Sequence, residues 1–198
     1  MRYKDIVFDL GGVVFARNPH RCSDEMLAFF SFVAKTGTPE FWDEYDRGTL
    51  TIDEVKEAVC RYRNCDRDMC ERMFVEAIDM QEEVPATKQL IGELKRAGYG
   101  LYVLSNMSLE FIDYLRTLPV YKYFDGEVVS CEEGTIKPEP DIFRILLSRY
   151  DLEPSRTLFI DDREANTQAA SALGFGTYLF DNANPERSCE ELRRILLQ

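Results

Sequence analysis

Ile6-Val7-Phe8-Asp9-Leu10-Gly11-Gly12-Val13-Val14-Phe15 is the stretch that decides the fold. An apolar run ends abruptly at a carboxylate, and two glycines follow at once. A buried strand over 6–8, then a sharp turn that brings backbone close to a ligand, accounts for that order. Asp9 would therefore stand at the C-terminal end of the strand, and in open α/β sheets that edge is where ligands bind.

Beyond Pro85 the chain alternates. Helix is expected over 86–97, ending at Gly98, then strand over 101–104 leading to Ser105-Asn106. A helix over 109–118 and a strand over 126–129 precede a loop holding Lys137-Pro138. Helix 141–149, strand 157–160 ending at Asp161-Asp162, helix 164–173, strand 177–179 and helix 185–197 complete the pattern. Such alternation means a doubly wound, Rossmann-like parallel sheet with helices on both faces. Asp9, Ser105, Asn106, Asp161 and Asp162 all fall at the predicted C-terminal strand ends.

Between these parts the pattern is helix after helix. After an early turn at Asn18-Pro19, Ser23 caps a helix through Ala34. Thr38-Pro39-Glu40 opens a second through Tyr45, Thr51-Ile52-Asp53-Glu54 is a capping box for a third, and Asp66 caps a fourth. The expected organisation is a core made of residues 1–17 and 82–198, with an all-helical cap over 18–81 inserted after the first strand.

The net charge of −12 opposes binding to nucleic acid or to anionic membrane through a basic surface. Six cysteines, none in a C-x-x-C pair, and one histidine argue against structural zinc. Cys60, Cys65 and Cys70 recur every five residues, a spacing that on a helix turns each about 140° from the last and spreads them over different faces. Met1-Arg2-Tyr3-Lys4-Asp5 leads directly into the first strand without a signal-peptide apolar region, so the cytoplasm is the expected location. The aromatics Phe29, Phe30, Phe32, Phe41, Trp42 and Phe74 read as the core of the helical bundle. Glu82-Glu83 reads as exposed hinge, Cys131 as packing, and His20 as surface or cap structure.

Taken in order, Phe8-Asp9-Leu10-Gly11-Gly12-Val13, Leu104-Ser105-Asn106, Lys137-Pro138-Glu139-Pro140-Asp141-Ile142-Phe143, and Phe159-Ile160-Asp161-Asp162 with Asn166 resemble the four motifs of the haloacid dehalogenase superfamily. The likeness runs over the whole chain. The Asp-Leu-Gly start and the Asp-Asp-x-x-x-Asn fourth motif look closest to the branch containing α-D-glucose-1-phosphate phosphatase. The resemblance implies a Mg²⁺-dependent phosphomonoesterase that acts on a small phosphorylated metabolite, a sugar phosphate, through an aspartyl-phosphate on Asp9. It implies metal ligation by Asp9, the Gly11 carbonyl and Asp162, with Asp161 and Asn166 orienting that group. Lys137 would neutralise charge, and Ser105, Asn106 and Lys137 would bind phosphate.

One departure matters. The family's phosphatases carry a second Asp two residues after the nucleophile, as general acid and base. Here that position is Gly11. A cap carboxylate could substitute, and Asp46, with Arg47 beside it, is the candidate cap contact; the plainer alternative is a solvated turn. Gly11 also supports a different class of function, a catalytically weak phosphate-binding regulatory protein. A dehalogenase-type hydrolase is a further alternative, but its motifs usually carry an aromatic at the Gly11 position and Ser-Ser-Asn in place of Ile-Asp-Asp. Phosphonate cleavage would need a Schiff-base lysine in the cap, where only Lys35 and Lys56 occur.

Overall fold

A computed structural model describes residues 2–17, 21–33 and 37–197. The expectations for Asn18-Pro19, His20 and Lys35, and the expected helix end at Ala34, lie outside the described residues.

The sheet is parallel throughout, in the order β5-β4-β1-β6-β7. Its strands are β1 (Asp5–Phe8), β4 (Gly100–Ser105), β5 (Gly126–Val129), β6 (Thr157–Asp161) and β7 (Gly176–Leu179). The chain winds outward from β1 to one side, then returns to the other, which places β1 at the topological switch point. Alternate side chains of β1 serve opposite faces. Ile6 and Phe8 pack with α5 (Pro85–Arg96), α6 (Leu109–Arg116) and α10 (Pro185–Leu196). Val7 packs with α8 (Pro140–Tyr150) and α9 (Glu164–Ala172). The apolar character of this strand on both faces is thus the signature of its central position.

Two short antiparallel strands, β2 (Phe15–Arg17) and β3 (Gln81–Glu83), form a stem with Arg17 opposite Gln81 and Phe15 opposite Glu83. Above it lie α1 (Asp24–Phe29), α2 (Glu40–Arg47), α3 (Ile52–Arg63) and α4 (Arg67–Asp79). Their shared core includes Phe30, Trp42, Tyr45, Val59 and Phe74, and it extends to Phe111 of α6.

Several sequence expectations need correction. The first cap helix ends at Phe29. Phe30 and Phe32 are two residues apart and could not share one helix face; the break lets both rings reach Trp42, at 5.7 and 5.4 Å. Helix α6 ends at Arg116 because Pro119 holds Leu118 in an extended conformation. Glu82-Glu83 is no exposed hinge: it is part of β3, and the Glu83 carboxylate accepts the Val120 N–H at 2.5 Å and pairs with Lys88. Cys60, Cys65 and Cys70 do not share a helix either. Asn64 ends α3, so the three thiols sit on α3, the turn and α4, and the Cys60 and Cys70 thiols donate to the Asp66 and Lys56 carbonyls, each at 3.6 Å.

The capping box is as expected. Thr51 Oγ1 accepts the Glu54 N–H at 3.3 Å, and Glu54 Oε2 accepts the Thr51 N–H at 2.8 Å. Thr51→Ala should lower the unfolding free energy by about 1 kcal/mol, measurable by urea denaturation, with the cap unravelling no more readily than the core.

Candidate active site

Asp9 follows β1 directly, its N–H bonded to the Ile160 carbonyl at 2.9 Å. The next residues fold back tightly, the N–H groups of Val14 and Phe15 both reaching the Leu10 carbonyl at 2.9 and 2.8 Å. Gly12 sits at φ +75°, and a Cβ there would lie 2.5 Å from Asp162 Oδ2. Gly12 is therefore required both by its backbone and by the close approach of Asp162. Gly11 is different: its Cβ would meet nothing within 4 Å.

Lys137, 3% exposed, occupies the centre. Its Nζ lies 2.8 Å from Asp9 Oδ1, 2.7 Å from Asp161 Oδ2 and 2.9 Å from the Leu104 carbonyl. Burial alone would pull the ammonium pKa down, but Asp161 and Asp9 outweigh it and leave it raised. The Lys137 loop is gripped by Asn106, whose Oδ1 accepts the Lys137 N–H at 2.7 Å while its Nδ2 donates to the Lys137 carbonyl at 2.9 Å. Ser105, fully buried, donates its hydroxyl to Asp9 Oδ1 at 3.1 Å.

Asp161 has both oxygens committed: to Lys137, to Asn166 Nδ2 at 3.0 Å from each, and to the Arg163 N–H at 2.8 Å. Asp162 turns outward, its Oδ2 accepting from Asn182 Nδ2 at 2.8 Å. Carboxylate oxygens of Asp9, Asp161 and Asp162 all lie within 4.8 Å of one another. Burial, then the neighbouring carboxylates, raise the Asp9 and Asp162 pKa values, with Lys137 opposing. Three acids around one contacting ammonium leave the cluster short of positive charge. A hard divalent cation taking oxygen from Asp9 and Asp162 fits that deficit, whereas Asp161 has no oxygen to spare.

Several of these groups line a cavity of about 390 Å³, large enough for a metabolite. Asp9, Gly11, Asn106, Lys137, Asp162 and Asn166 line it on the core side. Trp42, Asp43 and Asp46 line it from the cap, and Arg17 and Gln81 from the stem. Ser105 is not among the lining residues; its hydroxyl serves Asp9. Asp46 is no solvated turn. It lies in the last turn of α2, and Ser130 Oγ donates to its backbone carbonyl. Burial, then Asp43, push the Asp46 carboxyl up to about 7. Arg47 does not line the cavity. Its guanidinium makes a two-pronged pair with Glu139, at 3.0 and 2.7 Å, clasping the cap to the Lys137 loop. Arg47 holds the Glu139 carboxyl down at about 2.

Sequence reasoning missed Asn182, Asp43, Arg163, Arg17 and Ser108. Asn182 had a signal, since it follows a strand at the ligand-binding edge. Trp42 packs in the cap core as expected and also forms cavity wall.

A family model for haloacid dehalogenase-like hydrolases matches residues 3–174. The chain is 26% identical to the sesquiterpene phosphatase astK of Aspergillus oryzae, over 98% of this chain and 97% of that protein. It is also 26% identical to the D-ribitol-5-phosphate phosphatase of Bacteroides thetaiotaomicron, over 98% of each. Among solved structures, a haloacid dehalogenase-family enzyme of B. thetaiotaomicron in complex with magnesium and inorganic phosphate superposes with a TM-score of 0.71 and 26% identity, over 91% of this chain and 95% of that one.

Gly12→Ala should push Asp162 out of place and weaken Mg²⁺ binding about tenfold or more. The check is the Mg²⁺-dependent rise in thermal midpoint, which should need correspondingly more metal than in wild type.

Proposed function

The chain belongs to the haloacid dehalogenase-like hydrolase family, and from that premise we propose that it is a phosphatase of a small phosphorylated metabolite, a sugar phosphate, with Asp9 as nucleophile. The observation that carries this is the Asp9 carboxylate lining the cavity, held 2.8 Å from Lys137.

The family's cofactor is Mg²⁺, and here the Asp9 and Asp162 carboxylates with the Gly11 carbonyl would hold it. When bound, the ion supplies the positive charge that lets two anions meet. The protein's own steps follow from the geometry. Ser105 and Lys137 hold Asp9 in one orientation, and Lys137 offsets charge on the phosphoryl oxygens. An Asp9 oxygen bonds to phosphorus as the ester P–O bond breaks, and the departing oxygen takes a proton. Water then attacks the phosphorus of the aspartyl-phosphate, releasing phosphate and regenerating Asp9. Asp161 and Asn166 keep Lys137 aimed. Support for a phosphatase comes from the phosphatases aligned over nearly the full length of the chain; support for a polyol or sugar skeleton comes from the ribitol-phosphate enzyme and from Trp42, Thr38, Asp43 and Gln81 in the cavity wall.

The proton source is Asp46. It lines the same cavity, and a carboxyl with pKa about 7 is partly protonated at neutral pH. Asp43, Arg163 and Asp9 are the charges acting on it, with the Ser108 N–H. The second reading, a phosphate-binding protein with little turnover, rests on Gly11 alone.

Asp9→Asn should abolish Mg²⁺-dependent phosphate release across a panel of metabolite phosphates. Phosphate-analogue binding without turnover in the wild type would favour the second reading instead. For Asp46, turnover of alkyl phosphates should fall as pH rises through about 7, where the acid form is lost. Asp46→Asn should remove that limb and slow alkyl esters by about 10²–10⁴-fold, aryl esters far less. Because Gly11 has room for a side chain, adding Gly11→Asp to Asp46→Asn should recover alkyl-ester turnover. An unchanged alkyl-ester rate in Asp46→Asn would remove Asp46 from the mechanism.

A further inference from the structure

Among the described residues, Arg17 is the one partly buried cation with neither a hydrogen bond nor an ion pair to the protein. In a chain with 36 acidic and 24 basic side chains, that is unexpected. The other cations removed from solvent are engaged, among them Lys137 with Asp9 and Asp161, Lys56 with Glu71, Arg47 with Glu139, Arg116 with Glu127, Arg193 with Glu93, and Arg63 with the Ala28 carbonyl. The residues outside the description include no Asp or Glu that could serve Arg17.

What Arg17 does touch is an aromatic ring. Its guanidinium carbon lies 5.9 Å from the Phe30 ring centre, and burial lowers its pKa with no carboxylate raising it. It lines the same cavity as Asp9, next to Gln81 on the paired stem strand. The other cavity arginine, Arg163, is committed: it acts on Asp43, Asp46 and Asp162 and donates to the Val33 carbonyl at 3.2 Å. Arg17 acts on none of these acids. A half-buried guanidinium backed by a ring gains most from an anionic partner, and the cavity it lines gives that partner a way in.

We infer that Arg17 docks a second oxyanion on the substrate, so that the natural substrate is a phosphomonoester whose carbon skeleton also carries a carboxylate or another phosphoryl group. The planar fork of Arg suits either, with paired N–H···O bonds. The inference rests on the phosphatase reading. It deepens that reading by selecting, among metabolite phosphates, sugar-acid phosphates and bisphosphates over neutral sugar phosphates.

The test compares matched pairs with the whole protein and Mg²⁺: 6-phosphogluconate against glucose 6-phosphate for a carboxylate, and fructose 1,6-bisphosphate against fructose 6-phosphate for a second phosphoryl group. Wild type should favour at least one doubly anionic member by about tenfold or more in kcat/KM, the scale of a desolvated charge-assisted hydrogen bond. Which pair shows the preference identifies the oxyanion. Arg17→Gln should erase it through KM, with kcat little changed, and Arg17→Lys should retain part of it. A preference for the neutral members, or one untouched by Arg17→Gln, overturns the inference. Should no ester be turned over, the phosphatase reading fails separately. Titrating 6-phosphogluconate and fructose 1,6-bisphosphate against the fluorescence of Trp42, the sole tryptophan, then still decides: binding of one of them weakened about tenfold in Arg17→Gln supports Arg17, and equal or absent binding in both proteins refutes it.

Discussion

The site depends on one ammonium group wedged between two carboxylates. Lys137 Nζ touches Asp9 and Asp161 at 2.8 and 2.7 Å in almost complete exclusion from water. Bringing three charges into such a place is expensive, and only mutual pairing with further hydrogen bonds offsets it. The Leu104 carbonyl, Ser105 hydroxyl and Asn166 amide supply those bonds. The first two come from the end of β4 and the third from the first turn of α9. The sheet order is therefore a precondition of the charge arrangement: β1 must lie between β4 and β6 for a residue of the intervening loop to reach both acids.

The cap is tied to that arrangement at several points. Arg47 grips Glu139, two residues beyond Lys137. The Tyr45 hydroxyl donates to Glu110 at 2.6 Å, and Ser130 Oγ reaches the Asp46 carbonyl while accepting the Met107 N–H at 2.9 Å. Phe111 of the core helix joins the aromatic core of the cap. Helix α2 thus carries a clasp and a cavity carboxylate on neighbouring residues. The contact that seats the cap also sets where Asp46 stands relative to Asp9.

Much of this was legible in the sequence because its signals are local. A strand buried on both faces announces itself as Ile6-Val7-Phe8, and Thr51 with Glu54 announces a helix start. The strand-end residues Asp9, Asp161 and Asp162 stand out because carboxylates after apolar runs need an explanation. What stayed hidden depends on distant pairing. Nothing near Arg47 indicates that its partner is 92 positions away. Glu83 looks like surface until Lys88 and the Val120 N–H are seen to meet it. The cysteine spacing misled because a helical period was assumed across Asn64, where the backbone turns left-handed. Ser105 was recognisable by type, but whether its hydroxyl serves phosphate or Asp9 is a question of rotamer and burial.

The neighbouring glycines separate constraint from choice. At Gly12 a side chain is excluded twice, by positive φ and by Asp162. At Gly11 neither reason holds, so its lack of a side chain is not imposed by folding. A residue free to vary sterically, yet placed where the family's phosphatases keep an acid, shifts the proton-transfer problem to whatever else faces the cavity. The proposed acid, Asp46, fits that task, because burial beside Asp43 raises its carboxyl pKa to about 7. Its placement on the cap carries a mechanical consequence. In the proposed mechanism the acid stands on α2, so its place opposite Asp9 depends on the Arg47–Glu139 and Tyr45–Glu110 contacts that join the cap to the core. Proton transfer and cap seating would then be coupled, because loosening either contact would also displace the acid.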